Sequence, residues 1–275
     1  MTIQAEETAE QPHSRLHRPS FRRSVPSAAA LVVLAVLAWI VTAQQARGMG
    51  VGPGTMGLTL PLFLLTWVVM MAAMMFPSVA PVAILWTKSI AATTSGRRRA
   101  VRMSGFVGGY LVAWTGFGLL AYIALIGMNN LATSSPRAAT WLGSSIFLAA
   151  GIYQLTPLKQ ACLRHCRAPV MAFLNYASLK GAARDLRVGA HHGVYCVGCC
   201  WGLMVVLLAV GVMNLVAMAA LAVVIFLEKI WREGPAFSKV VGVAFIVIAA
   251  LIPFYPWLLP GLHVAPALAS PMGGM

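Results

Sequence analysis

The sequence has 275 residues, of which 60% are hydrophobic and only 9% charged, yet its formal net charge is +14. Soluble domains average about 25% charged residues, so an ordinary soluble domain is excluded. Several apolar runs of roughly 15 to 25 residues fit a polytopic, all-α transmembrane bundle instead.

In chain order, residues 1–27 are polar and carry Arg15, Arg18, Arg22 and Arg23. They lack the apolar surface to fold alone and read as a disordered basic tail. The run Ala28 to Thr42 reads as an uncleaved first span, although Val41-Thr42-Ala43 also resembles a cleavage site after a signal-peptide core. Further spans are expected at Leu58 to Pro77, Met103 to Gly127, Ala139 to Leu155, Tyr195 to Gly211, Asn214 to Leu227 and Val240 to Leu258. The membrane domain then covers 28–258, and 259–275 forms a flexible tail.

The stretch Tyr195 to Leu227 contains no charge. As one helix it would be about 50 Å long, against a hydrocarbon core near 30 Å. A turn at Gly211-Val212-Met213-Asn214 would divide it, and the charge distribution decides the matter. Cytoplasmic loops of membrane proteins collect Lys and Arg. With seven spans and the amino terminus inside, 18 basic residues lie inside and 2, Arg47 and Arg137, outside; with six spans the split worsens to 15 and 5. Seven spans are therefore preferred to six. The basic excess marks topology and contact with anionic lipid rather than nucleic acid. The expected location is a bacterial inner membrane, with the amino terminus cytoplasmic.

No span carries Asp, Glu, Lys, Arg or His near its centre, which disfavours a carboxylate-driven pump or a haem held between spans. The spans carry sulfur instead. Met70-Met71-Ala-Ala-Met74-Met75 places thioethers at helical spacings of three and four on the second span. The fifth opens with His191-His192-Gly-Val-Tyr-Cys196-Val-Gly-Cys199-Cys200 and continues to Met204. On a helix, His192, Cys196, Cys199 or Cys200, and Met204 share one face. Thiolates and thioethers are soft ligands that select Cu(I), with zinc the second candidate where His joins them.

Depth arithmetic puts Met71, Met74 and Met75 about 3 to 9 Å from the inner end of their span. It puts Cys199, Cys200 and Met204 about 6 to 14 Å in from the same side. The two sulfur groups could therefore share a site between neighbouring spans. Met runs also serve as adaptable packing, and both readings stand. Cys162-Leu-Arg-His165-Cys166, in a basic inner loop, reads as an incidental pair of thiols whose Arg neighbours would lower their pKa. Glu228 abuts an apolar run; it is a hard ligand or proton acceptor, or else a snorkelling carboxylate paired with Lys229 or Arg232. His263 and Met272-Gly-Gly-Met275 could collect copper outside, with a disordered tail as the plainer reading.

Trp67-Val-Val-Met70-Met71-Ala-Ala-Met74-Met75-Phe-Pro77-Ser78, with Cys200-Trp201-Gly-Leu-Met204, Gly211-Val-Met213-Asn214-Leu and Glu228-Lys229, resembles the bacterial family of predicted metal-binding integral membrane proteins, a domain of unknown function. The resemblance runs from about Leu58 to Pro256 and implies that Met74, Met75, Pro77, Ser78, Cys200, Met204, Met213, Asn214, Glu228 and Lys229 belong to the family core. It implies no reaction.

The function expected from the sequence is handling of a soft metal, Cu(I) first, for transport or cuproprotein assembly. Its candidate ligands are Met71, Met74, Met75, His192, Cys196, Cys199, Cys200, Met204 and Glu228, and its candidate partner is a metallochaperone or a cuproprotein. The alternatives are a membrane thiol oxidoreductase using Cys196 and Cys199 with a quinone, and a non-catalytic subunit of a membrane complex. No residue set specifies a catalysed reaction.

Overall fold

A computed structural model describes residues 25–48, 54–91, 94–168, 181 and 183–262. The basic tail as far as residue 24, His263 and the end Met272-Gly-Gly-Met275 lie outside the described residues. The helices are α1 (Val25–Gly48), α2 (Leu60–Ala91), α3 (Gly96–Ser134), α4 (Pro136–Leu155), α5 (Pro157–Arg167), α6 (Arg184–Val210), α7 (Leu215–Ile230) and α8 (Gly234–Leu251), followed by a 3-10 turn at Pro256–Leu258. Among the described residues there is no strand. Six helices, α1, α2, α3, α4, α6 and α8, are long and apolar enough to cross a membrane. At 16 residues, α7 extends only about 24 Å, short of the roughly 30 Å core.

The uncharged stretch from Tyr195 to Leu227 is divided where the turn was expected. Gly211 has φ of +111°, a conformation glycine adopts at little cost. The side chain of Asn214 then caps α7 by accepting from the Ala217 amide at 3.1 Å. The returning helix comes back to the level it left, since Lys229 Nζ is 3.1 Å from Cys196 Sγ. From Cys196 to Val210 and from Leu215 to Lys229 the rise is about 21 Å in each direction. Helix α7 thus behaves as a short seventh segment antiparallel to α6.

Most helices run beyond the expected spans, whereas α8 stops at Leu251, short of the expected Leu258. Helix α2 continues through Pro77 and Pro81 to Ala91, α3 begins at Gly96 and α6 at Arg184. The α2 extension is itself apolar as far as Trp86, whereas the extensions that open α3 and α6 are polar and continue the helix without apolar side chains. The polar extensions hold one another: Arg102 makes a bidentate contact with Asp185 at 3.0–3.2 Å, and the guanidiniums of Arg102 and Arg184 lie over the Trp86 ring. The sulfur groups consequently lie mid-helix rather than near an end. Met75 is about 22 Å from the start of α2 and 24 Å from its finish, and Cys199 about 22 Å and 16 Å from the two ends of α6.

Helix α2 packs on α1, α3 and α7, while α6 packs on α3, α4, α5 and α7. The α3–α6 contact is a glycine seam. A Cβ on Gly109 would run into the Leu186 carbonyl, and one on Gly189 into the Phe106 carbonyl. Gly105 with Gly109, and Gly189 with Gly193, repeat at the four-residue spacing that lets helix backbones meet.

Candidate metal centre

The middle of α6 carries three cysteines at positions 196, 199 and 200, which one helical turn places on a common face. Their sulfurs lie within 4.8 Å of one another, and all three side chains are buried. Two of the thiols are steered by the helix itself. Cys199 Sγ donates to the Cys196 carbonyl at 3.2 Å, and Cys200 Sγ donates to the same oxygen at 2.8 Å.

A fourth thiol arrives from α5. Its N-terminus is set by Thr156, whose hydroxyl accepts from the Lys159 amide at 3.2 Å, and by Pro157 at the first helical position. The short helix lies against α6, and Cys166, buried, places its Sγ 3.8 Å from Cys199 Sγ. The reading of the loop thiols as incidental therefore fails for Cys166. Cys162, on the same helix, is only half-buried and faces Gly198 rather than the cluster. Burial, with Cys199 nearby, pushes its thiol pKa up, the opposite of what its Arg neighbours suggested. All five cysteines are free thiols.

Charge enters from α7. Lys229 is buried, with Nζ 3.1 Å from Cys196 Sγ and 3.2 Å from Ser78 Oγ of α2. Cys196 Sγ also lies 3.0 Å from the Tyr110 hydroxyl of α3. One sulfur thus faces an ammonium and a phenol from two other helices. Ser78 in turn donates to the Met75 carbonyl at 2.9 Å, so Lys229 links the Met run of α2 to the thiols of α6.

Glu228, the neighbour of Lys229, faces the other way. Its carboxylate accepts from Lys159 Nζ at 2.7 Å and from Gln154 Nε2 at 2.7 Å, and Lys159 also donates to the Cys199 carbonyl. The expected pairing with Lys229 or Arg232 is replaced by one with Lys159. Successive helical residues point about 100° apart, and α5 brings its lysine under the end of α7. Glu228 is 1% exposed, so it is a buried ion-pair partner and not a snorkelling side chain.

Met71, Met74, Met75 and Met204 are all buried, with at most 2% exposure, so the Met run of α2 faces protein. Helices α2 and α6, however, expected as direct neighbours, are joined chiefly through α3 and α7. Met204 lies one turn beyond Cys200 on α6. His192 is buried one turn before Cys196, beside the Phe106 and Tyr110 rings. On α5, His165 stacks on Tyr195 at 3.8 Å, and burial, reinforced by His191, lowers its pKa.

Sequence spacing exposed the α6 thiols, which one helix aligns. It did not reveal Cys166, Lys159 and Lys229 as neighbours of those thiols, because each belongs to another helix. The available signals were the His165-Cys166 dipeptide and the uncompensated Glu228-Lys229 pair closing an apolar run.

A family model described as PpoB2, copper chaperone, matches residues 64–252. No curated protein and no solved structure matches the chain.

Proposed function

The chain belongs to the PpoB2 copper-chaperone family, and from that premise we propose that it holds Cu(I) as cargo at Cys166, Cys199 and Cys200 with Cys196, and passes it to a cuproprotein during assembly or across a membrane. The observation that carries the reading is the convergence of the α6 thiols with the α5 thiol. Soft sulfur selects Cu(I) over harder cations, and the Lys229 ammonium offsets part of the negative charge that several thiolates bring into a buried site. Met71, Met74, Met75 and Met204 supply weaker thioether contacts along which the ion moves on. Glu228 positions α5 through Lys159 and serves the site without binding the ion.

The setting we propose is a bacterial inner membrane, with the Lys- and Arg-rich ends of the helices cytoplasmic. The 18 to 2 distribution of basic residues supports this orientation. A reporter fused after Met275 that is active only in the cytoplasm would overturn it.

The deciding experiment is elemental analysis of protein purified anaerobically in mild detergent, with and without added Cu(I), together with X-ray absorption of the loaded form. Stoichiometric copper in an all-sulfur shell, lost in Cys200→Ser, is the expected result. Absence of stoichiometric copper in the wild-type chain would overturn the reading.

A further inference from the structure

Three histidines at the α5–α6 corner are graded by depth. His191 is exposed, His165 is half-buried and His192 is buried. Their rings follow in that order, 5.9 Å between the centroids of His191 and His165 and 6.2 Å between those of His165 and His192. The series ends at the thiols. His165 is bonded in sequence to Cys166, whose sulfur is 3.8 Å from Cys199 Sγ, and His192 precedes Cys196 by one helical turn.

Packing alone does not account for the inner member. His192 Nδ1 is buried and has no hydrogen-bond partner among the described residues, although an unpaired buried nitrogen is unfavourable. A metal ion satisfies such a nitrogen. The 6.2 Å between the His165 and His192 rings also leaves room for one ion with a nitrogen about 2.0–2.1 Å away on each side. The Phe106 and Tyr110 rings flank His192 at 6.4 and 6.2 Å, an enclosure that disfavours a strongly hydrated divalent ion.

We propose that His191, His165 and His192 form an entry relay, in which His165 and His192 hold Cu(I) transiently between two imidazoles and deliver it to the thiol cluster. The proposal rests on the copper reading of that cluster. Imidazole accepts copper, but thiolate is the softer ligand and binds Cu(I) more tightly, so each step inward is favourable. In the handover the Cu–N bond to His165 breaks as a Cu–S bond to Cys166 or Cys199 forms. The thiol proton passes to the imidazole nitrogen that the ion leaves, and no electron is transferred.

The test supplies Cu(I) as its bathocuproine complex to the full chain in detergent and follows loading by stopped flow. His165→Ala with His192→Leu should keep the wild-type copper stoichiometry and all-sulfur shell while loading roughly 10- to 100-fold more slowly. His165→Ala alone, at a half-exposed position that folding tolerates, should slow loading by a smaller factor. With Cys166, Cys199 and Cys200 all changed to Ser, residual Cu(I) should show a nitrogen-only, two-coordinate shell that His165→Ala abolishes. Wild-type loading rates in both histidine variants would overturn the relay, as would loss of the thiol-bound copper itself, which would make His192 a ligand of the final site. If wild-type protein binds no stoichiometric copper, it is the copper reading that fails; if it does and the histidine variants load normally, only the relay fails.

Discussion

At the end of α7, two adjacent residues enter two corners built differently. Glu228 meets Lys159 and Gln154, so its carboxylate is paired with an ammonium and an amide N–H. Lys229, one residue on, meets a thiol and a hydroxyl, and among the described residues no carboxylate is within ion-pair distance of it. Both lysines are buried, and a buried ammonium without a compensating anion is costly. The first corner is balanced in charge as it stands and holds α5 against α6 and α7. The second reaches charge balance only when sulfur carries the negative charge, which is the condition for binding a soft cation. The contrast separates a clamp from a binding site within a single helical turn.

The largest expected effect tests the clamp. Lys159→Met strands the Glu228 carboxylate and should destabilise the protein by about 3–5 kcal/mol, with most of the loss restored by adding Glu228→Gln. Thermal unfolding in detergent measures both, and wild-type stability in the single variant would mean that the corner does not hold α5. Next, Gly189→Ala forces α6 away from α3 at a cost of about 1–3 kcal/mol. Because Tyr110 lies on α3 while Lys159, Gln154 and Glu228 do not, copper capacity should fall in this variant. The stability cost of Lys159→Met should meanwhile be the same in its presence, and strong non-additivity in a double-mutant cycle would show that the corners are one unit.

A smaller effect is expected at the second corner. Lys229→Met should weaken Cu(I) affinity by roughly 10- to 100-fold, as loss of an outer partner of a ligand does, while leaving the melting temperature close to wild type. A destabilisation matching that of Lys159→Met would erase the distinction between the corners. The smallest effect belongs to Cys162→Ser. Its sulfur faces Gly198, so copper content should remain that of wild type; a loss as complete as in Cys200→Ser would place Cys162 among the ligands.

What was legible in the sequence follows from the range of the interactions involved. The division of α6 from α7 could be read because Gly211 and Asn214 act locally and the charge count constrained the rest. The α6 thiols could be read because one helix sets their alignment. The partnership of Cys166 with Cys199, 33 positions away, depends on how α5 folds under α6, and no periodicity encodes that. The true ends of α2 were hidden for a different reason. Pro77 and Pro81 look like a stop, yet both lie inside a helix that stays apolar and continues beyond them.

The glycine seam between α3 and α6 has a consequence for chemical identity. A slide of α6 by one position would bring the side chain of Val188 or Ala190 against the Phe106 carbonyl that Gly189 faces, so the seam resists a one-residue slip. The register determines which of the three α6 sulfurs meets the Tyr110 hydroxyl. Cys196 owes its individuality to residues that have no side chain at all.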